Sequence, residues 1–154
     1  MDRLAANKAV VRRFNTAVIE QGDRAAFEAL VDPGFHNRTA PPGAPADREA
    51  LWASFATLLR PALGPLAVTV HAQIAEGDLV VTRKTIRGTH RGALLGHAAT
   101  GAAVTIEVID IVRLAEGRYI EHWGLNSLAT ALAGLAAATT GAGAASTLSP
   151  PARR

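Results

Sequence analysis

The chain has 154 residues, 49% of them apolar, with no cysteine and a formal net charge of +3. That length suits one domain with one buried core, the composition is globular, and without cysteine neither a disulfide framework nor a thiolate zinc site can form. Arg153 and Arg154 at the chain end carry two of the three positive charges. The remainder shows no basic stripe, which excludes a nucleic-acid-binding surface. The opening "MDRLAANKAVVRRF" alternates charged and apolar residues, unlike a signal peptide. No apolar run approaches the ~20 residues of a membrane span. A cytoplasmic protein with no membrane partner is expected.

Leu4, Val11, Phe14 and Val18 recur at helical spacing and predict an amphipathic first helix that stops near Gly22. Asp23 is placed to cap a short second helix through Phe27 and Leu30, which ends before Pro33. "FHNRTAPPGAPA" reads as a Pro/Gly-rich loop. Asp47 is placed to cap a third helix carrying Leu51, Trp52, Phe55, Leu58 and Leu59, ending around Arg60 because Pro61 follows. Trp52 and Phe55 are its candidates for lining a pocket.

From Leu66 the period changes from helical to alternating. "LAVTVHAQIAEGDLVVTRKTIRGTHRG" predicts a hairpin turning at Glu76-Gly77-Asp78, and "AAVTIEVIDIVRL" with "RYIEHWGL" predicts a second one. Leu125 to Leu135 continues either as a strand or as a short helix. The domain is expected to span residues 1–136, with 137–154 a low-complexity, disordered tail. Helices first and antiparallel strands afterwards indicate an α+β domain, a curved sheet wrapped around helices with a pocket in its mouth.

These pieces carry a family likeness. "NKAVVRRFN" with "EQGD", "DPGFHN", "AEGDLVVTRKTIRGTHRG", the "TG" at 100–101 and "IDIVRLAEGRYIEHWG" occur in order over residues 7 to 135. Together they resemble the SnoaL-like polyketide cyclases and ester cyclases of the nuclear transport factor 2-like superfamily. The resemblance implies a cone-shaped α+β barrel, a deep apolar pocket for a small hydrophobic molecule, and a homodimer. It also implies an aspartate, two residues after the strand histidine, that acts as general acid and base. That position here is Gly124, and a second acidic position is Ser127. The superfamily's epoxide hydrolases use an inward aspartate near the same place.

The last hairpin offers a replacement. With a three-residue loop Ala115-Glu116-Gly117, Leu114 pairs with Arg118, Val112 faces Ile120, and Asp110 faces His122. Asp110 interrupts the inward row of Val104, Ile106, Val108 and Val112, and His122 shares a face with Ile120 and Gly124. An Asp110–His122 dyad follows, either catalytic or structural. Asn37, which matches a polar pocket position of the cyclases, is a candidate oxyanion donor or a turn residue. His36 beside it is a weaker candidate. His90 and His97 flank "RGALLG", a flap near the pocket mouth, and read as solvated loop histidines, with His90 also a candidate substrate contact.

No metal-ligand spacing links the five histidines, so no metal is expected. Either Arg83 or Lys84 faces inward; if it does, it favours a carboxylate or enolate ligand. Three functions compete. The first is a cofactor-free cyclase in which His122 removes a proton beside a carbonyl of a polyketide-like substrate. The second is a small-molecule-binding protein that lost its chemistry with the aspartate. The third is an epoxide hydrolase or hydratase.

Overall fold

The computed structural model describes residues 2–145. Helix α1 (Arg3–Arg13) runs without a break into a π-helical stretch, Phe14–Glu20. Then come α2 (Arg24–Leu30), β1 (Val31–Asn37), and α3 (Arg48–Ala53), which continues through a second π-helical stretch, Ser54–Leu59, into α4 (Arg60–Leu63). Strands β2 (Ala67–Glu76), β3 (Leu79–Thr89), β4 (Ala103–Ala115) and β5 (Arg118–Asn126) follow, and α5 (Leu128–Ala145) comes last. Among the described residues the strands form one five-stranded sheet, in the order β1-β5-β4-β3-β2. It is an α+β fold whose sheet stays open at β1 and β2, so the barrel is incomplete.

The local signals explain the helix starts. Asp23 Oδ1 accepts from the Ala26 N–H and Asp47 Oδ1 from the Ala50 N–H, each satisfying an orphan donor of the first turn. The third helix does not stop at Arg60. Pro61 follows directly on the π-helical stretch Ser54–Leu59, and the helix runs on through it to Leu63. Helix α5 carries regular structure to Ala145, beyond residue 136. The remainder of the expected tail, 146–154, lies outside the described residues.

The stretch read as a loop begins as a strand. Val31–Asn37 pairs in parallel with β5, setting Asn37 opposite His122. Its Pro and Gly hide it from a propensity argument, because β5 supplies its hydrogen bonds from 85 residues away.

The core lies between the concave sheet face and the helices. Val11, Phe14, Val18, Ile19, Phe27 and Leu63 from the helical side meet Val80, Ile86, Val104, Ile106 and Val112 of the sheet. Phe14 stacks on Tyr119 at 4.5 Å between centroids and meets Phe55 edge-on at 6.1 Å. Each such fully buried apolar side chain contributes roughly 1.5–3 kcal/mol.

The last hairpin differs from expectation. Ala115 pairs with Arg118 across a two-residue turn, Glu116 and Gly117, both at positive φ (50° and 74°). Leu114 then pairs with Tyr119 but Arg113 with Glu121, so Ile120 is the extra residue of a bulge. Val112 faces His122 and Asp110 faces Gly124. The bulge changes the parity once, so Tyr119 and His122, three residues apart, both point inward.

Candidate active site

Four polar side chains at the concave face, Asn37, His122, Asp110 and Lys84, join Asn15 of the first helix in one chain of hydrogen bonds and ion pairs. His122 Nε2 lies 2.7 Å from Asp110 Oδ1, although the two residues are diagonal neighbours and not opposed. Lys84 Nζ lies 2.7 Å from Asp110 Oδ2 and donates to Asn15 Oδ1 at 2.7 Å. Asn15 Nδ2 in turn donates to the Val11 carbonyl, which fixes its amide orientation. The π-helical stretch begun at Phe14 carries this buried asparagine, as such stretches often do at functional sites. On the other side His122 Nδ1 lies 3.1 Å from Asn37 Oδ1, which also accepts from the Thr39 backbone N–H and the Thr39 hydroxyl. Thr39 Oγ1 accepts from the Gly124 N–H.

The polarity of this chain has one consistent solution. A backbone N–H can only donate, so the Asn37 atom beside Thr39 is the oxygen, and His122 Nδ1 must donate to it. Asp110 is ionised. Burial alone would push its carboxyl up, but the Lys84 charge, and then the hydrogen bond and charge of His122, hold it at about 2 against an ordinary 3.8. So Nε2 donates as well, and the ring held here is the imidazolium.

Gly124 is what lets the ring reach Asp110. A Cβ at residue 124 would stand 2.6 Å from His122 Cε1, 2.8 Å from Nε2 and 2.9 Å from Asp110 Oδ1. Any side chain there would occupy the place of the imidazole. The carboxylate absent from β5 is present on β4, and the glycine keeps the path to it open.

A cavity of about 240 Å³ opens beneath this chain, walled by Phe14, Phe55, Ile86, Ile106, Val108 and Tyr119, with Asn37, Ser54, Lys84, Asp110, His122 and Asn126 among its polar groups. A wider vestibule of about 640 Å³ lies outside it, between the Pro-rich segment (Thr39 to Pro45) and α3. Asn37, Leu51, Ser54, Leu58, His122 and Asn126 line both spaces, so His122 stands at the waist. Tyr119 is buried, and burial and then the Asp110 charge push its ionisation well above the usual 10, leaving its hydroxyl a neutral donor.

Of the residues expected at the site, His122, Asp110, Asn37 and Phe55 line the cavity and Gly124 the vestibule. Four others do not. His36 is exposed on the opposite face of β1, because neighbours on a strand alternate. Trp52 packs outward, 5.2 Å from the Phe27 ring with the Arg24 guanidinium 5.1 Å over it. His90 is fully buried at the end of β3, its Nδ1 3.1 Å from Thr100 Oγ1, so it is neither solvated nor at the cavity. Ile120 is the bulge residue, and Tyr119 takes the inward place expected of it. Lys84 is the inward cation and Arg83 the exposed one. Among the described residues no three His, Asp or Glu gather as a metal site, and no helix is long and apolar enough to cross a membrane.

The model of the SnoaL-like polyketide cyclase family matches residues 9–135. The chain belongs to that family. Among solved structures it is similar to TsrD from Streptomyces laurentii (25% identity, TM-score 0.72, covering 83% of this chain and 92% of that one). It is also similar to IdmH from Streptomyces antibioticus (24%, TM-score 0.73, 85% and 98%). An LEH-like epoxide hydrolase from M. tuberculosis shares the fold at 17% identity (TM-score 0.63, 90% and 96%). No curated protein matches the sequence.

The low pKa of Asp110 makes the stability of the fold depend on pH. A carboxyl whose folded pKa lies below its unfolded value stabilises the fold above the unfolded value, and this is lost as pH falls from about 3.8 toward about 2. Denaturation of the wild type and Asp110→Asn between pH 6 and 2 should show the wild type's excess stability constant at the upper end and shrinking below about pH 4. A difference that is flat down to pH 2 would contradict the ion pair.

Proposed function

We propose that this protein is a cyclase-type enzyme that closes a ring in a small hydrophobic, polyketide-like carbonyl compound by proton transfer, without a cofactor. The observation that carries this is the His122–Asp110 contact at 2.7 Å on the wall of an apolar cavity. The substrate enters as the enolate of an acidic 1,3-dicarbonyl group, its carbon acid having given its proton to solvent. The enolate carbon bonds to a second carbonyl carbon of the same molecule, whose oxygen becomes an alkoxide. His122 gives that oxygen its Nδ1 proton and regains one from water. The 3.1 Å contact to Asn37 is the longer of the two ring contacts and is the one that opens. The Asn37 Nδ2 group then donates to the same oxygen. The cavity contributes by holding the reacting carbons together.

This role differs from the sequence expectation, in which His122 removes the proton from carbon. A ring that donates at both nitrogens acts first as an acid. Asp110 is no substitute base, because both its oxygens already accept hydrogen bonds and its carboxyl is held at about 2. A carboxylate so engaged is equally unsuited to activating water, as a hydrolase or hydratase requires.

Gly124 favours one other reading, a binding protein without turnover. Mass-spectrometric detection of a ring-closed product from apolar 1,3-dicarbonyl esters decides between them. Product supports the enzyme, whereas saturable binding with no product supports the binder.

A homodimer belongs to the same proposal. On the outer sheet face Ile109 is 51% and Leu125 76% exposed, beside the half-buried Ile111 and Trp123. That apolar face is suited to a second copy. Light scattering at ~10–50 µM, well above the dissociation constants of obligate dimers, should give twice the chain mass; a monomer there contradicts it.

A further inference from the structure

We infer that the cavity takes a monoanion, an apolar carboxylate or enolate whose oxygen sits on Lys84 Nζ, with the rest of the molecule reaching past His122 into the vestibule. The inference rests on the site proposed above, but not on turnover.

Lys84 carries three N–H donors. Two go to Asn15 Oδ1 and Asp110 Oδ2, each at 2.7 Å, and the side chain lines the cavity between Ile86 and Val108. The third is left for a ligand. The ion-pair partner is therefore only half of the Lys84 environment: the carboxylate holds the ammonium in place without using up its donors.

The charge count supports an anion. The titratable groups lining the cavity are Lys84, Asp110, Tyr119 and His122. Asp110 is ionised, Tyr119 is neutral, Lys84 is cationic, and His122 donates from both ring nitrogens. Asn15 and Asn37 add no charge. The sum is one positive charge on the wall of a largely apolar space, where an uncompensated charge is costly and a matching anion relieves it.

The shape adds length to the chemistry. Lys84 lines the inner space but not the vestibule, and His122 lines both. A ligand anchored on Lys84 places its next carbons at the waist beside the imidazolium, and anything bulkier lies between α3 and the Pro-rich segment. This orders the molecule: anionic end deep, reacting carbonyl at His122, substituents outward.

The test is titration calorimetry of the full chain at pH 7 with 2-naphthoate and 2-naphthamide, which share a ring system and differ in charge. The naphthoate should bind at least tenfold more tightly. In Lys84→Met that preference should fall to within about twofold, and in Asp110→Asn, which leaves the ammonium unneutralised, it should be kept or raised. If Lys84→Met does not fold, the wild-type pair and Asp110→Asn still decide. Equal or tighter binding of the amide, no naphthoate binding at millimolar concentration, or loss of the preference in Asp110→Asn would overturn the inference. A charge preference without any ring-closed product would leave it standing and remove the cyclase reading, while product with no charge preference would do the reverse.

Discussion

His122→Gln should lower turnover of a ring-closing substrate by about 10²–10⁴-fold, the usual contribution of a positioned proton donor. Ligand affinity should fall by no more than about tenfold, or ~1.4 kcal/mol. Glutamine can keep a hydrogen bond to Asp110 Oδ1, so the buried carboxylate is not abandoned, but its amide does not give up a proton at neutral pH. The loss therefore belongs to kcat and not to KM, because the proton is needed only once the carbon–carbon bond has begun to form. Steady-state kinetics on both proteins checks this. A fall confined to KM would make His122 a binding residue.

Lys84→Met should cost about 3–5 kcal/mol of stability near pH 7, since it strips a buried carboxylate of its strongest partner. At this chain length that is a fall in Tm on the order of 10 °C. It should also unsettle Asn15, whose Oδ1 has Lys84 as its donor while its Nδ2 stays on Val11. Adding Asp110→Asn to Lys84→Met should recover part of the loss, because an unpaired charge is worse than a missing pair. Thermal unfolding of the two single variants and the double variant gives the coupling directly; strict additivity would mean that the 2.7 Å contact carries no energy of its own.

Much of this arrangement is legible in the sequence, and the illegible part has physical causes. Asp23 and Asp47 announce their helices because capping is a local interaction between a side chain and a nearby N–H. The inward facing of Asp110 follows from the alternation of Val104, Ile106, Val108 and Val112. The partnership of Asp110 with His122 follows too, but for a reason other than the register argued from the turn. A two-residue turn alone would have set Asp110 against Trp123, and the bulge at Ile120 restores the parity. Nothing local in "RYIEHW" announces a bulge, because it is settled by how Tyr119 packs on Phe14 and how β1 pairs along β5.

Lys84 and Arg83 could not be separated from the pattern alone, since each row of β3 mixes apolar residues with threonine. Lys84 points in because Asn15 and Asp110 await it there, one from 69 residues earlier. Asn15 itself lies on the helix face read as apolar, four residues after Val11, and nothing in that pattern announces the lysine it meets on the sheet. Gly124, read from the family pattern as a vacancy, is instead the clearance across which His122 reaches its acid.

Gly124→Ala adds one carbon at a point 2.6 Å from His122 Cε1 and 2.9 Å from Asp110 Oδ1, inside the contact distance of both. The strand itself accepts alanine, so the fold should survive while the imidazole is pushed off Asp110. The turnover of Gly124→Ala, measured beside that of His122→Gln on the same 1,3-dicarbonyl ester, is the most direct test. If the dyad across the strand is the working element, both variants should lose turnover to a similar degree, by about 10²-fold or more. A Gly124→Ala protein that cyclises as fast as the wild type would contradict it.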